Sequence, residues 1–257
     1  MFNFISSLHI IIVVYNKKLD NCDSFQSLIK SKKVDRDLNV FIYDNSLKKQ
    51  EIKKYNNLKI EYLHDPINSG VSKAYNQGAL SALHNNKKWI LLLDQDTILP
   101  DDLLMKYQEA CSKNPGIKLF CPILKLSNGK IFSPCRYLFK RGFHLSHIHS
   151  GLYPLNKMTP VNSGMLINLK AFMMVGGYND KVKLDFADFQ FLERFRKMYN
   201  EFFVVDAICI QDFSNNEISF KNQLIRFRFY CEGARNVEKD TIFDWFSYIL
   251  FVLLRAI

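Results

Sequence analysis

Over its first hundred residues the chain repeats one pattern: a short apolar run rich in β-branched residues, a polar break, then either another run or a stretch of helical periodicity. The runs at 9–15, 40–43, 59–63 and 89–93 do not alternate apolar with polar. Strands of that kind are buried on both faces, as in a parallel sheet sandwiched between helices. Helices are expected at 24–30 and 71–84. In the second of these, Val71, Ala74, Tyr75, Gly78, Ala79 and Ala82 recur on one face, and Ser69 stands where an N-cap would. The order is βαβ, and the expected class is α/β.

The rest of the chain is less regular. A helix at 101–112 opens with Asp101 and Asp102, which suit the helix dipole. Residues 117–156 carry scattered prolines and glycines and read as irregular strands and loops. A strand is expected at 160–169, a helix at 184–198, a strand at 202–210, and mostly helix over 217–257. No internal repeat and no low-complexity linker interrupts the 257 residues, which suffice for one large α/β unit.

Composition narrows the function classes. The formal charge of +10 calls for a polyanionic neighbour, and nucleic acid, anionic headgroups or phosphate-bearing substrates would all serve. No zinc finger, RNP motif or basic zipper is present, so nucleic acid is not expected. The six cysteines are scattered without a C-x-x-C pair, which argues against a zinc site or disulfide framework and for a reducing, cytosolic compartment. No run has the roughly 18 to 20 apolar residues of a membrane span, so the chain reads as soluble or peripheral. The glycine fingerprint of a nicotinamide dehydrogenase is replaced after the first strand by Tyr15-Asn16-Lys17-Lys18, and no P-loop occurs.

Four polar clusters fall at strand ends or helix starts, where open α/β sheets bind ligands: Tyr15-Asn16, Asp44-Asn45-Ser46, Asn68-Ser69-Gly70 and Asp94-Gln95-Asp96-Thr97. Two carboxylates two residues apart at a sheet rim can share a hard cation, with phosphate oxygens completing its shell. An Asp-x-Asp pair on its own also fits a solvated turn.

Taken in order, the clusters resemble the family 2 glycosyltransferases, most closely their bacterial rhamnosyltransferase-like branch. The matching segments are Val14-Tyr15-Asn16, Asp44-Asn45-Ser46, Asn68-Ser69-Gly70 through Asn76-Gln77-Gly78, and Leu93-Asp94-Gln95-Asp96. Asn162-Ser163-Gly164, Gly176-Gly177-Tyr178-Asn179 and Asp185 through Gln190 continue it, over roughly residues 8 to 236. The resemblance implies a GT-A fold, the Rossmann-like arrangement of nucleotide-diphospho-sugar transferases. It implies that Tyr15 and Asp44 hold the nucleobase, Asp94 lies near the ribose, Asp96 binds Mn²⁺ or Mg²⁺, and Asp188 is the general base. Asn16, Asn45, Ser46, Asn68, Gly70, Asn76 and Gln95 join the nucleotide-binding set, and Ser163, Gly164 and Asp185 are assigned to the donor or acceptor sugar.

The chain departs from the family pattern at Ala187 and Gln190, where acids often flank the base, although Arg194 keeps its spacing. Where the family often has a metal-binding histidine, this chain has Gln211-Asp212-Phe213-Ser214. Either Asp212 supplies an oxygen ligand, or Asp96 and the diphosphate hold the metal without it. His144, His147 and His149 read as loop histidines, with no second metal assigned. Lys221, Arg226, Arg228 and Arg235 form either a solvated helix face or a contact for diphosphate or anionic lipid. The apolar tail, 241–257, suits an interfacial helix on an anionic membrane or burial against a partner subunit.

The resulting expectation is a GT-A domain over 1–215, with a nucleotide-binding half (1–100) and an acceptor half (101–215), then a helical C-terminal extension (216–257). It would transfer a sugar, with inversion, from dTDP-rhamnose or a UDP-hexose to a lipid-diphosphate-linked oligosaccharide, peripherally at the inner face of the cell membrane. The setting would be O-antigen or capsule synthesis. A catalytically silent nucleotide-sugar-binding or scaffold protein of the same fold is the alternative.

Overall fold

The structure, a computed structural model, describes residues 4–31, 37–211 and 220–256. The first half runs β1 (Leu8–Val14), α1 (Asp23–Lys30), β2 (Leu38–Asp44), β3 (Leu58–His64), α2 (Val71–His84), β4 (Trp89–Asp94), β5 (Thr97–Ile98) and α3 (Leu103–Lys113). The second half runs β6 (Leu119–Leu126), β7 (Ile131–Ser133), β8 (Cys135–Leu138), β9 (Arg141–Phe143), β10 (Gly151–Pro154), β11 (Met158–Thr159), β12 (Leu166–Asn168), α4 (Leu169–Met174), α5 (Ala187–Phe195) and β13 (Glu201–Gln211). Two helices end it, α6 (Phe220–Asn236) and α7 (Ile242–Ala256).

One mixed sheet crosses the molecule in the order β10-β13-β6-β12-β4-β1-β2-β3. β4, β1, β2 and β3 are mutually parallel, while β12 runs antiparallel between β4 and β6. A small antiparallel sheet, β11-β8-β9, stands apart. The non-alternating apolar runs have the expected cause. Every residue of β1 is buried, with Ile11 and Val13 in one core beside α2 and Ile10, Ile12 and Val14 in the other beside α1 and α3. Close packing of α2 on the sheet requires Gly78, where an added Cβ would lie 2.7 Å from Ile11.

Four local expectations give way. The strand expected over 160–169 shrinks to β12, because Gly164 turns the chain at φ +84° and Asn168 caps α4, its side chain accepting from the Ala171 amide at 3.1 Å. Ser69 does not cap α2: Gly70 holds the N-cap position at φ 92°, and the Ser69 amide donates to Asp65. The 184–198 helix starts only at Ala187, after Phe186 at φ 72°. β3, expected to be covered on both faces, is an edge strand whose residues alternate, Lys59 and Glu61 exposed and Ile60 and Tyr62 half-buried, while the C-terminal stretch is mostly helical as expected.

Candidate active site

The parallel register aligns the carboxyl ends of four strands, β4, β1, β2 and β3. Val14 pairs with Asp44, Val13 with Asp94, and Asp44 with His64, so the polar residues that follow each strand share one rim. The chain then doubles back through Gln95 and Asp96, and β5 pairs with the end of β13, Thr97 opposite Gln211. That fold-back brings Gln211 to Asp96.

Asp44 is fully buried and saturated by the protein. Its Oδ1 accepts from the Ser46 amide at 2.9 Å, and its Oδ2 accepts from Gln50 Nε2 and the Tyr62 hydroxyl, each at 2.8 Å. Burial pushes its acidity toward the neutral form, and these donors overcome that and hold it below the usual carboxylate range. Asp65 is built alike, accepting from the Tyr43 hydroxyl at 2.8 Å and the Ser69 amide at 3.0 Å, and is likewise held low against burial. Around them, Ser46 Oγ accepts from the Asn16 amide and Gln95 Oε1 from the Tyr15 amide, both at 2.8 Å. Tyr15 itself is 48% exposed, free for a flat ligand to stack on, and the buried Asn45 Oδ1 has no hydrogen-bond partner among the described residues.

The remaining acids behave oppositely. Burial pushes Asp94 up to about 6, against a 2.7 Å hydrogen bond from the Tyr75 hydroxyl and with the charge of Asp188 adding to the rise. Asp96 rises to about 7 through burial and the neighbouring charge of Asp94. Asp188 rises to about 6, through burial first and then the charge of Asp185. The charge of Asp188 thus acts on Asp94, and that of Asp94 on Asp96, which makes the three carboxylates near neighbours. Asp188 accepts from the Phe189 amide at 2.8 Å on Oδ1.

A closed chain of hydrogen bonds links the two halves of Asp94-Gln95-Asp96. The Asp94 amide donates to Ser163 Oγ at 3.0 Å, Ser163 Oγ and Thr97 Oγ1 lie 2.6 Å apart, Thr97 donates to Gln211 Oε1 at 2.6 Å, and Gln211 Nε2 donates to Asp96 Oδ1. Ser163, Thr97 and Gln211 are all buried. Asp212 lies outside the described residues, and among those no group of three or more His, Cys, Asp or Glu residues could hold a metal. The donor set nonetheless suits Mg²⁺ or Mn²⁺, which take one or two protein carboxylates beside phosphate oxygens. Asp94 and Asp96 are such a pair, and burial leaves both short of positive charge.

Several expected residues make structural contacts. Asn76 joins α2 to the 178–180 loop, its Nδ2 donating to the Tyr178 carbonyl and its Oδ1 accepting from the Tyr178 amide, both at 2.9 Å. Asn68 adopts φ 51° beside Gly70, where a Cβ would come 2.3 Å from the Lys183 carbonyl oxygen. Gly164 packs on Pro122. Arg194 donates to the Gly177 carbonyl and pairs with Glu238. Asp185 pairs with Arg226 at 3.2 Å through Oδ1, while its Oδ2 is buried without a hydrogen-bond partner among the described residues. His144 bonds the Ile131 carbonyl in its loop.

Sequence reasoning passed over Gln50, Tyr62 and Asp65, gave Thr97 no role beyond its place in the Asp94-Gln95-Asp96-Thr97 cluster, and read Tyr75 only as core. Asp65 had a signal, a carboxylate just past a strand end; Gln50 and Tyr62 had none.

Comparison with known proteins fits this geometry. TarS 1–349 of S. aureus superposes with a TM-score of 0.61 at 14% identity, over 97% of this chain and 71% of that one. The same protein in complex with UDP gives 0.59. PcManGT of Pyrobaculum calidifontis, a mannosyltransferase in complex with GDP-Man and Mn²⁺, gives 0.57 at 11% identity over 96% of this chain and 69% of that one. These likenesses establish a GT-A fold. In sequence, the dTDP-rhamnosyl transferase RfbF of Shigella flexneri is 22% identical over 185 residues, 71% of this chain. The chain matches only 61% of the length of that relative. The description Glycosyl transferase family 2 matches residues 9–156, more than half of the sequence, and the chain belongs to that family.

Proposed function

We propose that the protein is an inverting, divalent-cation-dependent glycosyltransferase that moves a sugar from a nucleoside diphosphate sugar to a lipid-diphosphate-linked oligosaccharide. The observation that carries this is that Asp94, Asp96 and Asp188, each with its pKa raised by burial and by a neighbouring acid, stand close enough for their charges to interact in a GT-A fold. A deoxythymidine diphosphate sugar or a UDP-hexose is the proposed donor, supported by the RfbF likeness and by the UDP bound in TarS. Synthesis of a cell-surface polysaccharide, O-antigen or capsule, at the inner membrane face is the proposed setting.

In this reading Tyr15 stacks on the base, and the Asp44, Ser46 and Gln95 lattice shapes its pocket. Asp94 reaches the ribose. A Mn²⁺ or Mg²⁺ held at Asp96 supplies positive charge against the diphosphate. Gln211 fixes one oxygen of Asp96 and leaves the other for ligand. Asp188 takes the proton of the acceptor hydroxyl as that oxygen attacks the anomeric carbon from the face opposite the leaving diphosphate. The anomeric carbon–oxygen bond to the diphosphate breaks in the same displacement, which inverts the configuration. A base near 6 is ionised at neutral pH yet basic enough to assist, which is the range general-base catalysis favours.

Incubation with a panel of nucleoside diphosphate sugars, with and without Mn²⁺, tests the reading. Cation-dependent stabilisation by one donor and slow release of its nucleoside diphosphate are expected. Stabilisation without any hydrolysis or transfer would favour the silent binding protein instead.

A further inference from the structure

Among the described residues no helix is long and apolar enough to cross a membrane, and the 15 residues of α7 rise only about 22 Å, short of a bilayer core. Yet α7 turns apolar side chains outward as well as inward, where Tyr248 and Phe251 join the core. Thr241 and Asp244 cap its start reciprocally, the Thr241 amide donating to Asp244 Oδ2 at 3.1 Å and the Asp244 amide to Thr241 Oγ1 at 3.2 Å. Asp244 and Ser247 are buried, while Ile242, Phe243, Trp245, Phe246, Ile249 and Leu250 are each more than half exposed.

A second segment extends that face. The turn between β8 and β9 places Phe139 at φ 48° and Lys140 at φ 61°, a left-handed pair that ordinarily needs asparagine or glycine. Lys140 turns inward, bridging Glu193 of α5 at 2.6 Å and Asp244 of α7 at 3.3 Å, with all three side chains largely buried. Phe139 turns outward, 69% exposed, its ring 6.4 Å from that of Phe243. Cations sit beside the aromatic rings near this surface, Lys239 4.6 Å from Trp245 and Arg141 5.4 Å from Phe251.

We infer that Phe139 and the outer face of α7 form one two-part surface that inserts into the interface of an anionic bilayer, with the Lys140 bridge holding α5, the helix of Asp188, at a fixed attitude to that plane. Apolar side chains edged by cations match acyl chains beneath acidic headgroups. A second copy of the chain is a poorer occupant, since a two-fold pairing of these faces would set the same cations against each other. The inference rests on the lipid-linked acceptor proposed above.

The test is flotation of the full chain with phosphatidylglycerol-containing vesicles and with phosphatidylcholine alone, beside the emission of Trp245, since the other tryptophan, Trp89, is buried. The intact protein should float with the anionic vesicles, with its emission shifted to the blue. Phe139→Asn keeps a residue at ease in the left-handed turn, so the fold should hold while vesicle partition falls about tenfold for the lost ring. Phe243→Ser should act alike, and neither should alter nucleotide-sugar hydrolysis measured without vesicles. No flotation, flotation of Phe139→Asn equal to that of the intact chain, or a dimer that Phe243→Ser dissolves without any vesicle binding would each overturn the inference. Hydrolysis without flotation refutes only the membrane face, whereas flotation without hydrolysis refutes the enzyme reading.

Discussion

Asp44 and Asp65 differ from Asp94, Asp96 and Asp188 in what the protein itself offers them. The first pair is surrounded by donors and held acidic: Asp44 takes hydrogen bonds from Ser46, Gln50 and Tyr62, and Asp65 from Tyr43 and Ser69. The trio is half-buried with few donors and pushed toward neutrality by desolvation and by neighbouring acids. Saturated carboxylates are scaffold, because removing them strands their donors. Under-served carboxylates in a cleft are where chemistry is done, because a proton, a cation or a reacting hydroxyl completes them.

The sharpest break in this comparison lies within the segment that opens α5. Asp188→Asn should lower turnover by at least about 10²-fold, the lower bound for general-base catalysis, since an amide cannot take the proton. Donor affinity and thermal stability should barely change. Asp185→Asn should cost much less, because its carboxylate pairs with Arg226 and serves the fold of the segment. Steady-state kinetics on both variants decides this, and a larger loss in Asp185→Asn would move the base.

For the scaffold pair the expectation reverses. Asp44→Asn turns an amide N–H₂ toward one of the donors from Ser46, Gln50 or Tyr62, so unfolding free energy should fall by about 1–3 kcal/mol, read as a lower Tm with and without donor. A variant as stable as the intact chain would mean that Asp44 is not scaffold.

Smaller again is the pH dependence of stability, in which the two groups have opposite signs. The trio has folded-state acidities near 6, 7 and 6, above those of the unfolded chain. Their contribution is therefore fully present below about pH 4 and lost as pH rises through 6 to 7. Asp44 and Asp65 are held low, so theirs is present above about pH 4 and lost on acidification. Calorimetric scans without divalent cation should show the trio's contribution to Tm declining between pH 5.5 and 7.5, and Asp96→Asn should flatten that decline.

Much of the fold could be read from residue patterns because its determinants are local. The run 9–15 carries β-branched residues on both faces, 40–43 sets Val40 and Ile42 on one face and Phe41 and Tyr43 on the other, and the small-residue face of α2 matches the sheet it covers. Asp94 and Asp96 could be placed because the end of β4 delivers them, whereas Asp188, in the first turn of α5, was reached through the family resemblance. What escaped depends on pairing between distant segments. Gln211 meets Asp96 across 115 positions, and only the β5–β13 pairing brings them together. The strand expected over 160–169 is cut short by a turn in which the Met165 amide donates to the Asn162 carbonyl at 3.0 Å, and only its packing, Gly164 against Pro122, comes from a distant segment. The tail was legible as apolar, but the burial of Asp244 was not, because Asp244 is matched by Lys140 from a different part of the chain.

Proton release on binding tests the central claim, that Asp96 holds the cation of a nucleoside diphosphate whose ribose Asp94 meets, most directly. Calorimetric titration of the full chain with a nucleoside diphosphate and Mn²⁺ at pH 6.5, repeated in buffers of different ionisation enthalpy, counts those protons. Because Asp94 and Asp96 are held near 6 and 7, the intact protein should release a measurable fraction of a proton, and Asp96→Asn should bind the cation complex weakly and release less. Equal affinity and equal proton release in the two proteins would contradict the account.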